Sequence, residues 1–176
     1  MNVSLHAHPP SFDEVYVSLF SVVYRVSFRV TGDREAAEDL CHEAFIRFLH
    51  LPQGLPDLDQ AKYWLIRVVR NLSLNHEKRR TREKTAVRRL RRLSPATAES
   101  GERLVVAEET RSEVQQALNA LPYGLRAPLV FREYGGLSYR QIGTIMGISE
   151  GNVKVRIFRA RERLAKVFAE EGVHVS

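Results

Sequence analysis

The stretch Leu137-Ser-Tyr-Arg-Gln-Ile-Gly-Thr-Ile-Met-Gly147, followed by Ile148-Ser149 and then Glu150 to Lys166, decides the fold of the C-terminal part of this chain. Ser138 can cap a first helix, and Gln141 stands three residues later, which is the spacing of a capping box. Gly147 suits the left-handed position that ends a helix, and Ser149 can cap a second helix directly after it. Two capped helices joined by a short glycine turn are the pattern of a helix-turn-helix.

A helical wheel of the second helix, at about 100° per residue, divides its residues between two faces. The apolar face can pack on the first helix and consists of Val153, Ile157, Ala160 and Leu164. The other face, flanked by Lys154 and Arg161, presents cations and an amide: Asn152, Arg156, Arg159 and Arg163. Arg can read guanine, Asn can read adenine, and Lys or Arg binds phosphate. We therefore predict DNA binding, although the charge run taken alone favours a solvated basic helix without a ligand.

Charge is spread unevenly along the 176 residues, whose formal net charge is +6. Residues 77–93 carry nine Lys or Arg against two Asp or Glu, and residues 121–176 carry nine against five. The segments 1–76 and 94–120 are both net acidic. Two separated basic blocks indicate that the chain meets a polyanion at two places.

The sequence has no pattern typical of catalysis or of metal binding. Cys41 is the only cysteine, so no internal disulfide can form, and no Cys/His cluster has zinc spacing. A glycine-rich phosphate loop and a nucleophile elbow are both missing, and the carboxylates near Glu43 favour a solvated or protein-contacting helix surface. No apolar run approaches the roughly 18 residues of a membrane span. We therefore expect a cytoplasmic protein that is not an enzyme, inserts in no membrane, and needs no cofactor and no metal.

The N-terminal half has the pattern of three helices. Ser11 to Glu14 form a capping box that opens a helix to about Val30, and Asp33 can cap the next helix. The segment Leu51–Asp59 contains two Pro and one Gly and is predicted to be a loop. A third helix is predicted from about Gln60 through Lys78 or beyond.

The C-terminal half begins after a change in composition. The stretch 94–101 is small and polar and is the best linker candidate, and new helical patterns follow from about Leu104 and from Leu125 to Tyr134. We predict an all-α chain with two small helical domains, residues 11–92 and 104–171, joined by a flexible linker over 93–103. The helix-turn-helix belongs to the C-terminal domain.

Three motifs, in this order and spacing, resemble the extracytoplasmic function (ECF) sigma factors, the compact two-domain branch of the bacterial sigma-70 family. Arg29-Val-Thr-Gly-Asp33 followed by Ala37-Glu-Asp-Leu-Cys-His-Glu-Ala-Phe45 is similar to region 2.1–2.2 of that family. Trp64-Leu-Ile-Arg-Val-Val-Arg-Asn-Leu72 is similar to regions 2.3–2.4. The stretch from Leu121 to Leu164 resembles region 4.

The resemblance implies a role for the N-terminal half in binding RNA polymerase and the promoter −10 element. A surface of the second helix would dock on the clamp helices of the largest polymerase subunit: Asp39, His42, Glu43 and Arg47. The third helix would contact the non-template strand and its phosphates through Arg67, Arg70, Asn71, Asn75, Lys78, Arg79 and Arg80. The loop Leu51–Asp59 stands where the family captures a flipped base, whereas Trp64 is more often a core residue than a stacking platform.

For the C-terminal half, the resemblance implies recognition of the −35 element, with Lys154, Arg156 and Arg159 at base edges or phosphates. It also implies contact with the polymerase flap and control by an anti-sigma factor. The chain departs from the family pattern at His42, Ala44, Asn152 and Val155, and its segment 81–93 is more basic than the family linker.

Three functions account for these patterns. The leading interpretation is a promoter-specificity subunit that binds core polymerase and directs initiation at −10 and −35 elements. The second is a free-standing helix-turn-helix regulator with an N-terminal helical sensor domain, which would not need the motifs 39–45 and 64–72. The third is an anti-sigma-like or scaffold protein whose basic face binds acidic proteins.

Overall fold

The structure is a computed structural model that describes residues 8–93 and 109–170. Within these ranges the chain forms α1 (Phe12–Thr31), α2 (Arg34–Leu49), α3 (Leu58–Leu93), α4 (Glu109–Ala120), α5 (Tyr123–Glu133), α6 (Tyr139–Met146) and α7 (Glu150–Glu170). The described residues contain no strand. The predicted all-α fold class is therefore confirmed.

Local hydrogen bonds fix both ends of α1. The Glu14 amide donates to Ser11 Oγ at 3.2 Å, and the Ser11 amide donates to Glu14 Oε2 at 2.7 Å, as a capping box requires. Gly32 ends the helix in the left-handed region, with φ 67°. Asp33 then caps α2 by accepting a hydrogen bond from the Ala36 amide at 3.0 Å. The predicted capping box and the predicted Asp33 cap are confirmed.

The helices α1, α2 and α3 pack around a core of fully buried side chains that includes Val15, Val23, Leu65 and Ile66. Cys41 is fully buried among them, as its place in the helical pattern predicts. Trp64 is half-buried and packs edge to face on Phe48, with ring centroids 5.7 Å apart. The indole therefore serves mainly as a packing residue of this domain.

The structure differs from the predicted boundaries of α3. This helix begins at Leu58, two residues before the predicted start, because Asp57 Oδ1 accepts a hydrogen bond from the Gln60 amide at 2.8 Å and caps it. The helix continues to Leu93, so the basic segment is helical and the predicted linker loses its first residue. The remaining linker residues, 94–103, and the predicted start of the second domain at 104–108 lie outside the described residues, as does residue 171.

The helix-turn-helix has the predicted geometry. The Gln141 amide donates to Ser138 Oγ at 3.1 Å, which caps α6. Gly147 ends α6 with φ 68° and ψ 35°, in the left-handed region. The Asn152 amide then donates to Ser149 Oγ at 3.2 Å and caps α7. The preceding α5 begins two residues earlier than predicted, since Pro122 provides its N-cap and its carbonyl accepts from the Arg126 amide at 2.9 Å.

The two helical domains pack against each other, with α1 and α3 on one side and α4, α5 and α6 on the other. The Tyr123 hydroxyl lies 2.8 Å from Ser73 Oγ and donates to the Arg70 carbonyl at 3.2 Å. Arg126, which is only 2% exposed, donates to Glu77 at 3.2 Å. Buried apolar side chains of both domains form one continuous core. The sequence analysis did not predict this arrangement.

Candidate nucleic-acid interface

Four of the seven residues that the sequence assigns to the −10 element lie on one exposed face of α3. This −10 face consists of Arg67, Asn71, Asn75 and Lys78. They follow each other at intervals of three or four residues, which is one face of a helix at about 100° per residue. The buried residues Leu65, Val68 and Val69 hold the other side of this helix against the domain core. The face therefore presents two cations and two amides on a fixed backbone.

The remaining three cations of the predicted −10 set lie elsewhere. Arg70 is half-buried and donates to Asn71 Oδ1 at 2.9 Å, while its carbonyl accepts the hydrogen bond from Tyr123. Arg80 is half-buried and donates to the Thr31 carbonyl at 3.5 Å. Arg79 is exposed and lies 3.9 Å from Glu83. The Arg70 guanidinium therefore stays beside Asn71 of the −10 face, although its side chain is half-buried. Arg80 contacts the Thr31 carbonyl of α1 instead, so the structure does not bring it together with the exposed set.

The recognition helix α7 presents three exposed residues of the predicted −35 set on one face: Asn152, Arg159 and Arg163. The opposite face holds the fully buried Val153 and Ala160 against the domain. Arg156 belongs to the polar face but is half-buried, because its guanidinium donates to the Gly124 carbonyl at 3.5 Å. Arg156 is therefore less exposed than the other three members of this face.

Lys154 is separated from the other members of the −35 set. Its ammonium lies 3.8 Å from Glu150 and 5.5 Å from the ring centroid of Tyr139. Lys154 and Tyr139 line a shallow groove together with Val155, Ile157, Phe158 and Arg161. Phe158 is 63% exposed there. The sequence analysis did not single out Phe158, although an aromatic residue between two arginines on a basic helix is a signal that could have identified it.

The predicted docking surface on α2 is exposed and contains more apolar area than the sequence analysis recognised. Asp39, His42 and Arg47 are exposed, and Glu43 accepts a hydrogen bond from Arg47 at 2.7 Å. Ile46 lies between these charged residues on the same face and is 52% exposed. An isoleucine on the charged side of a helical wheel is the signal that was missed. An exposed apolar residue within a polar rim is typical of a protein-binding surface.

In the described ranges, no group of three or more His, Cys, Asp or Glu side chains is placed to hold a metal ion. None of the helices in these ranges is both long enough and apolar enough to cross a membrane.

Comparisons with known proteins agree with this geometry. Residues 15–83 match the family described as Sigma-70 region 2, and residues 111–164 match Sigma-70, region 4. The chain is 33% identical over 164 residues to the ECF RNA polymerase sigma factor SigE of Mycolicibacterium smegmatis, with 93% of this chain and 63% of SigE covered. It is 31% identical over 169 residues to the ECF RNA polymerase sigma factor SigM of Bacillus subtilis, with 93% of this chain and 98% of SigM covered.

Among solved structures, the sigma factor RpoE from Bartonella quintana, determined in complex with the anti-sigma factor NepR, superposes with a TM-score of 0.65 at 20% identity. The match covers 90% of this chain and 96% of RpoE, so the helical fold is shared. With both sigma-70 regions present in order and SigM matched over nearly its whole length, the chain belongs to the ECF sigma factors of the sigma-70 family, the promoter-recognising subunits of RNA polymerase.

Proposed function

We propose that this chain binds core RNA polymerase through α2 and positions two DNA-reading helices, one for each promoter element, without performing chemistry itself. The observation that carries the proposal is the pair of exposed polar faces, one on α3 and one on α7, each backed by a buried apolar face. Arg and Asn on such faces can reach base edges, and the flanking cations bind phosphates. Polymerase is in the cytoplasm, so the protein acts there.

At the −35 element, Asn152, Arg159 and Arg163 read the DNA, because they are the exposed members of the polar face of α7. Arg156 joins them after leaving Gly124, and Lys154 contacts a flanking phosphate. At the −10 element, Arg67, Asn71, Asn75 and Lys78 contact the non-template strand. Arg70 beside Asn71 and the exposed Arg79 beside Glu83 flank this face, whereas Arg80 contributes only after it leaves the Thr31 carbonyl.

Core polymerase docks on α2, with the clamp helices of its largest subunit over Asp39, His42, Glu43 and Arg47, and with Ile46 at the centre of the contact. The groove at Phe158 is the best candidate for contact with the polymerase flap, since it combines exposed apolar area with basic neighbours. An anti-sigma factor is a further proposed partner, because the related RpoE structure is a complex with one. Such a factor would compete with polymerase for these surfaces.

The central experiment adds the purified chain to core polymerase and genomic DNA fragments and maps the transcript starts. We expect specific starts that share −10 and −35 sequences. Specific DNA binding in the absence of core polymerase, with no new starts, would instead favour the free-standing helix-turn-helix regulator.

The docking surface is tested by reversing one charge on it. Glu43→Lys is expected to weaken core binding by about tenfold, because the variant replaces an attractive charge at the rim of the contact with a repulsive one. The control is Asp13→Lys, which makes the same reversal of charge at an exposed acid of α1, outside the docking set on α2. Affinity for core polymerase is measured by titration with the labelled chain. Equal affinities for the two variants would place the docking surface elsewhere.

A further inference from the structure

The outer part of α3, residues 81–93, is a helix that packs against nothing in the described protein. All thirteen of its residues are exposed. At 1.5 Å per residue, this outer arm extends about 20 Å past the domain body. It carries six Lys or Arg against the single acid Glu83, so its net charge is +5.

The arm continues the −10 face along the same side of α3. Arg67, Asn71, Asn75 and Lys78 are followed on the same helical stripe by three further cations, Arg82, Arg89 and Arg92, which we call the outer stripe. All three are exposed. Arg89 follows Arg82 by seven residues and Arg92 follows Arg89 by three, and both spacings keep side chains on one face of a helix. From Arg67 to Arg92 the combined stripe is about 38 Å long, which is about one turn of a DNA duplex.

The rest of the arm does not share this stripe. Glu83 lies on a different side and pairs with Arg79 rather than with the outer stripe. The exposed apolar residues Val87 and Leu90 also lie off the stripe, as does a second set of cations, Lys84, Arg88 and Arg91. Neutralising acids are therefore missing along the stripe within the described residues. Arg82 Nε donates to the Lys78 carbonyl of the same helix at 3.4 Å, and its side chain remains exposed, as do those of Arg89 and Arg92.

The charges of the arm are unfavourable for a helix that is surrounded only by water. Lys84 and Arg88, and likewise Arg88 and Arg92, stand four residues apart, and like charges at that spacing destabilise a helix. Tertiary packing, which supplies most of the stability of protein helices, is missing here. A line of phosphates would relieve the repulsion and would stabilise the helix.

We propose that the outer stripe binds the phosphate backbone of promoter DNA next to the −10 element and acts as a sequence-independent clamp. The proposal rests on the proposed function, since it takes the −10 face as the neighbouring contact. Three Arg side chains with no amide among them suit phosphate binding rather than base reading. The clamp would tighten binding to every promoter by a similar factor and would leave the choice of promoter to the −10 and −35 faces.

The test compares two triple variants of the full-length chain in complex with core polymerase. The stripe variant is Arg82→Gln, Arg89→Gln and Arg92→Gln. The matched control is Lys84→Gln, Arg88→Gln and Arg91→Gln, which removes the same charge from the same arm on its other side. Gln retains a helix propensity close to those of Arg and Lys. Binding to duplex promoter fragments, without nucleotides, is measured over a range of salt concentrations.

We expect the slope of log affinity against log salt concentration to become less steep by about 2–3 in the stripe variant, since each lost phosphate contact removes about 0.9. The control should change the slope by less than about 1. At 0.1 M salt the stripe variant should bind every tested promoter about tenfold more weakly or worse, with transcript starts unchanged.

Several outcomes would overturn the proposal. Equal slopes for the two variants would show that only net charge matters. Weakened binding to core polymerase would assign the stripe to a protein partner, and an effect that appears only once RNA is made would assign it to the transcript. If the unmodified chain produces no specific starts, the proposed function itself fails. If the unmodified chain produces specific starts and the stripe variant binds DNA as tightly as the unmodified chain, the proposed function stands and only the proposed phosphate contact of the outer stripe is wrong.

Discussion

At the scale of single residues, Gly143 controls how closely the two helices of the helix-turn-helix approach each other. A Cβ built at this position would come within 2.7 Å of the Ile148 carbonyl oxygen, which is backbone and cannot swing away. The Ile148 amide also donates to the Gly143 carbonyl at 3.0 Å. The sequence predicted the left-handed Gly147, but it gave no sign that Gly143 was needed for close packing.

Gly143→Ala is therefore expected to destabilise the folded chain by about 1–3 kcal/mol, the usual cost of overpacking. The control is Gly151→Ala in the first turn of α7, where an added Cβ would meet nothing within 4 Å. That variant is expected to stabilise by about 0.5–1 kcal/mol, because alanine loses less backbone entropy than glycine on forming a helix. Urea denaturation followed by circular dichroism measures both. Similar stabilities for the two variants would contradict the packing explanation.

Cys41 provides a second test at this scale. Burial raises the pKa of its thiol from an ordinary value of 9.0 to about 12, because the thiolate would be desolvated. The folded chain should thus react very slowly with iodoacetamide at pH 8 and quickly in urea. The unfolded thiol ionises at lower pH than the folded one. The buried neutral thiol therefore makes its full contribution to the free energy of unfolding below about pH 9, and this contribution is lost as the pH rises towards 12. Rapid alkylation of the native chain would mean that this core opens readily.

At the scale of one element, α7 divides its cations between two surfaces. Arg159 is an exposed member of the polar face, whereas Lys154 lies beside Tyr139 and Glu150. Arg159→Ala is expected to weaken binding to the preferred −35 sequence by about 1–3 kcal/mol and to relax the preference at one base pair. Lys154→Ala should weaken binding equally for all sequences. Both are measured as holoenzyme affinity for a set of −35 variants, and a base-specific effect of Lys154→Ala would reverse these assignments.

The same element shows how far a helical pattern can predict a site. The spacing of Val153, Ile157 and Ala160 predicted the buried face of α7 correctly, because a single apolar face has to pack on the domain. The pattern of α3 could not show that Arg70 and Arg80 are half-buried while Arg67 and Asn71 are exposed. An arginine can lie in water or in a polar contact between domains. The spacing of polar residues along the helix is the same in the two cases, so it does not distinguish them.

At the scale of the whole molecule, a polar network joins the two domains around Tyr123. Burial raises the pKa of Tyr123 above its ordinary value, so the phenol stays protonated and keeps donating to the Arg70 carbonyl. Arg126 lies beside it and bonds both Glu77 and the Leu121 carbonyl. Because the apolar core is continuous across the domains, we expect the free chain to unfold in one cooperative transition.

Tyr123→Phe removes the hydroxyl of this network and keeps the ring. The free energy of unfolding is expected to fall by about 1 kcal/mol, the usual net contribution of a hydrogen bond, and the whole transition should shift together. Tyr16→Phe is the control, since Tyr16 is a partly exposed tyrosine of α1 outside the domain interface. Chemical denaturation followed by fluorescence and by circular dichroism tests both. Two separated transitions, of which only one shifts, would show that the domains are independent in the free chain.

The sequence by itself determined the elements of this protein: the caps at Ser11, Ser138 and Ser149, the turn at Gly147 and the faces of α7. These features depend on hydrogen bonds and side-chain spacings within four residues, so they are encoded locally. The tertiary structure alone decided which cations remain available. It half-buried Arg70 and Arg80 and left the outer stripe of α3 in solvent. That division depends on contacts between residues far apart in the chain, which the spacing within one helix cannot encode.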